Sequence, residues 1–162
     1  MKNIFPVFIL LVVIVSCKPK QESAKGKSVI LPDRTLTVQF YPYWGGSAEG
    51  VLERKNGKEN LYSTYHEKIH GVDTLLTVIT PIGETMTDSV FTLAEKVKWN
   101  ADANYGTASG HEGLKVFITY KKPHLEESVS WEKLKSVSEL PPDILNLVQL
   151  MNEISPADFK LF

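Results

Sequence analysis

The run His66-Glu67-Lys68-Ile69-His70 has the sharpest chemical spacing in the chain. On a helix, histidines four residues apart share a face. His66 and His70 would then set two imidazoles on one Zn²⁺ while Glu67 takes a proton from the metal-bound water. That reading requires a helix through 62–72. The flanking residues predict an extended chain instead: Leu61-Tyr62-Ser63-Thr64-Tyr65 precede the run and Gly71-Val72-Asp73 follow it. On a strand rising ~3.3 Å per residue, the two imidazoles share a face but stand about 13 Å apart, too far for one metal. Strand histidines without a metal or other cofactor are therefore the expectation, and a zinc-dependent hydrolase using 66–70 is the alternative.

The run resembles the zincin motif in its two histidines and its glutamate. That resemblance implies a third ligand, which in one branch is a glutamate on a downstream helix, and Glu95 is the residue placed to serve. Departures are clear. Lys68 is charged where such motifs usually carry neutral residues, and the extension of another branch would need Gly and His where Asp73 and Leu76 stand. Two further groups of residues are candidates for ligand contact. Tyr41, Tyr43 and Trp44 adjoin Gly45-Gly46 and suit sugar or peptide contact. His111 and Glu112 lie with Ser109 in the Gly-rich stretch 106–113, and Asp102 lies nearby; the stretch has neither the P-loop nor the nucleophile-elbow spacing. A loop at 100–113 could also plug a partner enzyme's cleft, as in an inhibitor or immunity-type protein.

Alternation of apolar and polar residues predicts the elements that hold these groups. Arg34–Tyr43 alternates with Leu36, Val38 and Phe40 in phase. Gly50–Arg54 and Asn60–His66 flank Asn56-Gly57, a strong hairpin signal. Thr74–Thr80 is a continuous β-branched and aliphatic run, the pattern of a strand buried on both faces. From Thr85 the period becomes helical, with Met86, Val90, Leu93, Ala94 and Val97 on one face and Thr85 and Asp88 spaced as a capping box. Gly113–Lys121 alternates again, Ser128–Trp131 is its expected hairpin partner, and Pro142–Ile154 is the last helix, with Ile144, Leu147, Val148, Met151 and Ile154 inward. The expected class is α+β: an antiparallel sheet of about six strands with two helices packed on one face.

The N-terminus predicts an address. Lys2 precedes an apolar run, Ile4–Val15, that is too short for the ~30 Å core of a bilayer and has the make-up of a signal peptide. Ile14-Val15-Ser16-Cys17 resembles the lipobox of bacterial lipoproteins, and the lysine start and Ile/Val-rich core are similar to those of Bacteroidota lipoproteins. The resemblance implies cleavage before Cys17, a diacylglycerol on its thiol and an acyl chain such as palmitate on the new amino group. Lys18, in place of an Asp that favours inner-membrane retention, points to the outer membrane. Residues 1–16 are thus an expected signal peptide, 17–28 the lipidated cysteine and a polar tether, and 29–162 a single α+β domain.

Composition limits the function. Cys17 is the only cysteine, so the domain has no disulfide and no thiolate ligand. Loss of Lys2 with the signal leaves 17 of the 18 basic residues against 19 acids, which gives no electrostatic footprint for nucleic acid. The expectation is a lipoprotein of the cell envelope, anchored in the bilayer through Cys17 and facing the periplasm or lying at the outer membrane. Its domain is expected to be non-enzymatic, with a structural role or a protein, peptide or glycan partner.

Overall fold

The computed structural model describes residues 31–43, 45–69, 72–99, 104–105 and 113–162. The expected signal peptide and tether, and with them Cys17, lie outside these residues, as do Trp44, His70, Asp102, Ser109, His111 and Glu112. The elements are β1 (Arg34–Pro42), β2 (Ser47–Lys55), β3 (Lys58–Ile69), β4 (Val72–Pro81), α1 (Glu84–Ala94), β5 (Asn104–Tyr105), β6 (Leu114–Lys122), β7 (Leu125–Leu134) and α2 (Pro142–Ile154). They form an open sheet in the order β4-β3-β2-β1-β6-β7-β5. Six strands are antiparallel; the two-residue β5 joins β7 in parallel. The α+β class, the antiparallel sheet and the pair of helices on one face are as the periodicities predict.

The period of two sorts each strand into a buried and an open face. Leu36, Val38 and Phe40 of β1 join Leu52 of β2, Leu61 of β3, Val116 and Ile118 of β6 and Trp131 of β7 in one core. The helices supply the facing layer. Thr35, Thr37 and Gln39 alternate with the core residues and turn to the other side. At the β2–β3 turn, Asn56 and Gly57 both have positive φ (52° and 71°), the backbone a two-residue hairpin turn requires. That turn fixes the register that sets Leu52 opposite Leu61 and Ser47 opposite His66.

α2 has the predicted bounds, and Ile144, Leu147, Val148 and Met151 are buried. It crosses close to the sheet where β2 carries Gly50. A Cβ there would stand 3.3 Å from both Met151 and Leu161. The chain then makes a single 3₁₀ turn, Ala157–Phe159, and Leu161 enters the core while Phe162 packs on Phe40 at 5.2 Å.

Val90, Ala94 and Val97 of the predicted α1 face are buried and Leu93 is partly buried, but the helix is shorter than predicted. Thr87, Val90, Phe91 and Ala94 are buried, whereas Met86 is exposed. The helix ends at Ala94, and the next residues fold down so that Trp99 stacks on Tyr120 (5.9 Å) and donates its indole N–H to the Ala94 carbonyl (3.0 Å). No side chain caps its N-terminus; Gly83 is the N-cap. Asp88, expected in a capping box, instead accepts from Arg54 Nη2 at 2.7 Å.

β4 is the second correction. The run Thr74–Thr80 has the pattern of a strand covered on both faces, yet β4 forms the edge of the sheet, with Leu75, Leu76 and Ile79 exposed. Intrinsic β-propensity makes it a strand; the short connection pairs it with β3, and it has no second neighbour among the described residues.

Arg54 is a charged residue in the core layer, with only 2% of its surface exposed. Glu59 accepts from its Nε at 2.8 Å, Asp88 from Nη2, and the guanidinium lies 5.5 Å from the centre of the Phe91 ring. Burial alone would lower its pKa, but the hydrogen bonds and charges of Asp88 and Glu59 outweigh burial and raise it. Removing the guanidinium strands the mostly buried Glu59, so Arg54→Ala is expected to cost about 3 kcal/mol. The half-exposed Asp88 is worth less, and Asp88→Ala should cost about 1 kcal/mol or below. Replacing the pair together, Arg54→Met with Glu59→Gln, should be milder than Arg54→Ala. Urea denaturation followed by tryptophan fluorescence orders the three, and equal losses would refute the buried-pair account.

Candidate functional site

Among the described residues, two depressions of about 620 and 470 Å³ adjoin Trp99 and Trp131 near the helices. The helix-free face of the sheet carries two smaller ones. One, of about 340 Å³, lies over β1–β4 and is lined by Tyr41, Ser47 and Glu49 on one side and Thr64, His66, Asp73 and Leu75 on the other. A second, of about 350 Å³, shares Tyr41 and extends over β6 between Gln39, Lys115 and Phe117. The alternation of five strands builds this surface. Phe117, Gln39, Glu49, Thr64 and Thr77 form one row across the sheet, and His66 and Leu75 belong to the next.

Polar side chains on the surface are paired with each other. Gln39 Nε2 donates to Glu49, Tyr62 donates to Glu53 at 3.4 Å, and the Thr64 and Thr77 hydroxyls meet at 3.1 Å. Lys115 pairs with Glu132. His66 Nε2 stands 3.9 Å from Asp73 Oδ1, a contact whose charge depends on imidazole protonation. Tyr41, 42% exposed, separates the two depressions and offers an open ring. The surface therefore presents acceptors at Glu49 and Asp73, a titratable donor at His66 and apolar area at Tyr41 and Leu75.

The metal reading of 66–70 requires a helix, and the structure places Lys58–Ile69 in a strand. His66 pairs with Leu75 and Glu67 with Thr74, so their side chains leave opposite faces of the sheet. Glu67 on the helix side cannot serve a water held by His66 on the open side. Glu95 is remote from both. It lies just past α1, where Arg34 Nη1 contacts it at 3.0 Å and Tyr120 donates to it at 3.5 Å. That is the end of β1 opposite to Tyr41 and His66. His66, Glu67 and Glu95 thus do not form the zinc set, and the described residues hold no group of three or more His, Cys, Asp or Glu suited to a metal.

Of the other candidates, Tyr41 and Tyr43 lie among the described residues. Tyr43 donates its N–H to the Gly113 carbonyl at 3.0 Å and is half exposed. Tyr43 and Gly113 thus meet at the end of the sheet that also carries His66. Sequence reasoning missed Glu49, Thr64, Asp73 and Lys115. The usable signal is register: the Asn56-Gly57 turn fixes which β2 residue faces which β3 residue, and so places Ser47 beside His66.

Two tyrosines have altered acidity. Burial pushes the Tyr65 hydroxyl up, and the charge and hydrogen bond of Glu67 add to it. Burial also pushes Tyr120 up, with Glu95 adding and Arg34 opposing. Both stay neutral through the physiological range, so neither supplies a phenolate. Set against known protein families and curated proteins, the chain matches none.

Gly46 adjoins the end of the site, packed against β3. A Cβ there would stand 2.6 Å from the ring and hydroxyl of Tyr65 and 2.7 Å from the His66 carbonyl. Gly46→Ala is expected to lower stability by about 1–3 kcal/mol, the usual cost of forced overpacking, and to shift the His66 imidazole signals in an NMR spectrum. An unchanged denaturation midpoint together with unchanged His66 signals would refute this close approach.

Proposed function

We propose that the chain is a lipid-anchored lipoprotein of the cell envelope whose domain binds a partner without catalysing a reaction. Support for the anchor is the Ile14-Val15-Ser16-Cys17 spacing and the lone cysteine. One acyl chain holds a protein only marginally, while two or three give stable attachment. Lys18 favours the outer membrane over the inner.

The observation that carries the binding reading is the open sheet face centred on Tyr41. Its polar groups are tied to one another and not arranged as a nucleophile beside a base. Such a surface suits a partner with hydrogen-bond donors for Glu49 and Asp73 and a ring or apolar surface for Tyr41 and Leu75. Near-neutral charge fits recognition by shape and hydrogen bonding over long-range attraction.

Incorporation of radiolabelled palmitate tests the anchor: labelling is expected in the wild type and absent in Cys17→Ala, and equal labelling would remove the anchor. A photoreactive phenylalanine analogue tests the face. Placed at Tyr41 in the full chain in cells, it should capture a discrete adduct. Placed at Asn146, exposed on α2, it should capture none. Equal capture at the two positions, or capture at neither, would refute the open face as the binding surface.

A further inference from the structure

We infer that the β4 edge is a homodimer interface, at which a second copy of this chain adds its own β4 in antiparallel register about Thr77. The first observation is a mismatch between sequence and position. Thr74-Leu75-Leu76-Thr77-Val78-Ile79-Thr80 reads as a strand covered on both faces, yet β4 has β3 on one side and no described strand on the other. Leu75 is 67% exposed and Ile79 58% on the open face, and Leu76 is 51% exposed on the helix side. The last value also means that neither described helix overhangs this edge. Natural edges are usually blunted by lysines, prolines, bulges or short length. β4 has ten residues and regular pairing with β3, carries no lysine, and has a proline only at its last position.

The hydrogen-bond phase selects which groups are free. Ile82 N–H donates to the Glu59 carbonyl at 3.1 Å, the pair next beyond Asn60 and Pro81. Bonded and non-bonded pairs alternate along an antiparallel ladder. The even-numbered residues of β4 therefore bond to β3, while Asp73, Leu75, Thr77 and Ile79 turn their N–H and C=O groups outward.

The partner follows from self-complementarity. A two-fold axis at Thr77 sets Thr77 against its own copy, Leu75 against Ile79, Leu76 against Val78 and Asp73 against Pro81. Every exposed apolar side chain then faces an apolar one, and the single charge of the strand avoids its copy. All outward groups of Leu75, Thr77 and Ile79 are bonded in the same register. Moving the axis by one residue puts Leu75 against Thr77 and Asp73 against Ile79, which loses the match. Such an interface is isologous, the kind a closed dimer needs. It joins two sheets into one with both open faces on the same side, and it stands independently of the binding reading.

The test is the protein mass of the full chain in mild detergent, by light scattering with the detergent contribution subtracted. Twice the chain mass is expected for the wild type. Thr77→Pro removes an outward N–H and one exposed hydroxyl contact to Thr64 but no backbone bond to β3, so it should give the single-chain mass with an unchanged circular dichroism spectrum. Leu75→Lys with Ile79→Lys should do the same through charge repulsion. Three results would overturn the inference: a wild type that remains single at every concentration, a wild-type dimer that persists in both variants, or a single wild type that takes up an added peptide of the Val72–Pro81 sequence. The last would assign the edge to a partner's strand and not to a second copy.

Discussion

Arg34 and Arg54 stand directly opposite each other on β1 and β2, on the side of the sheet where the helices pack. Two like charges in that relation repel, and burial raises the cost. The fold meets this with three carboxylates and one ring. Glu59, next to the hairpin turn, and Asp88, on α1, hold Arg54; Glu95, just past α1, holds Arg34; and both guanidinium groups lie within 6 Å of the Phe91 ring centre. These contacts draw α1 across the ends of β2 and β1 and place Trp99 on Tyr120 of β6. The helix layer is thereby closed at one end by charge and ring contacts, and along the rest by α2 and the apolar core. Because both helices are committed to this face, no described element covers the opposite face of the sheet, and the candidate site lies there.

The same constraint explains what was legible in the sequence. Strands were readable because alternation survives whichever face is buried, and the β2–β3 turn was readable because Asn56-Gly57 suits positive φ at both positions. α2 was readable because its inward stripe is wholly apolar. α1 was legible in part: its helix and most of its inward stripe, but not Phe91, the outward Met86 or its end at Ala94. Asp88 reaches Arg54 and Phe91 packs against two arginines, and an apolar stripe contains neither fact. Arg54 carries no mark of its interior place in the local sequence pattern. Only the pairing with Arg34 and the crossing of a helix above reveal that it is interior.

The site shows how far local chemistry can mislead without a periodicity. His66, Glu67 and Glu95 are the right residue types for zinc, yet a strand sends the first two to opposite faces and the third belongs to the Arg34 network at the far end of β1. What His66 acquires instead is a place in a cross-strand surface with Ser47, Asp73 and Tyr41. None of these is near it in a motif sense. They meet because two hairpins of fixed register lay β2 and β4 on either side of β3. A surface of this kind is written in turn positions and strand phase, so a search for catalytic spacings passes over it.

β4 brings the two faces together in one argument. In the middle strands, the open face is hydrophilic or mixed: Thr37, Gln39, Glu49 and Thr64. Toward β4 it becomes apolar at Leu75 and Ile79, while Leu76 is apolar and exposed on the helix side. Selection for solubility alone would reverse that gradient, with the most polar residues at the unprotected edge. The observed gradient is the one expected if the chemical edge of the sheet is not the physical edge of the assembly. On that view the Thr77 hydroxyl bonded to Thr64 and the outward N–H of Thr77 divide the work: the side chain fastens β4 to its own sheet, and the main chain is free to meet another.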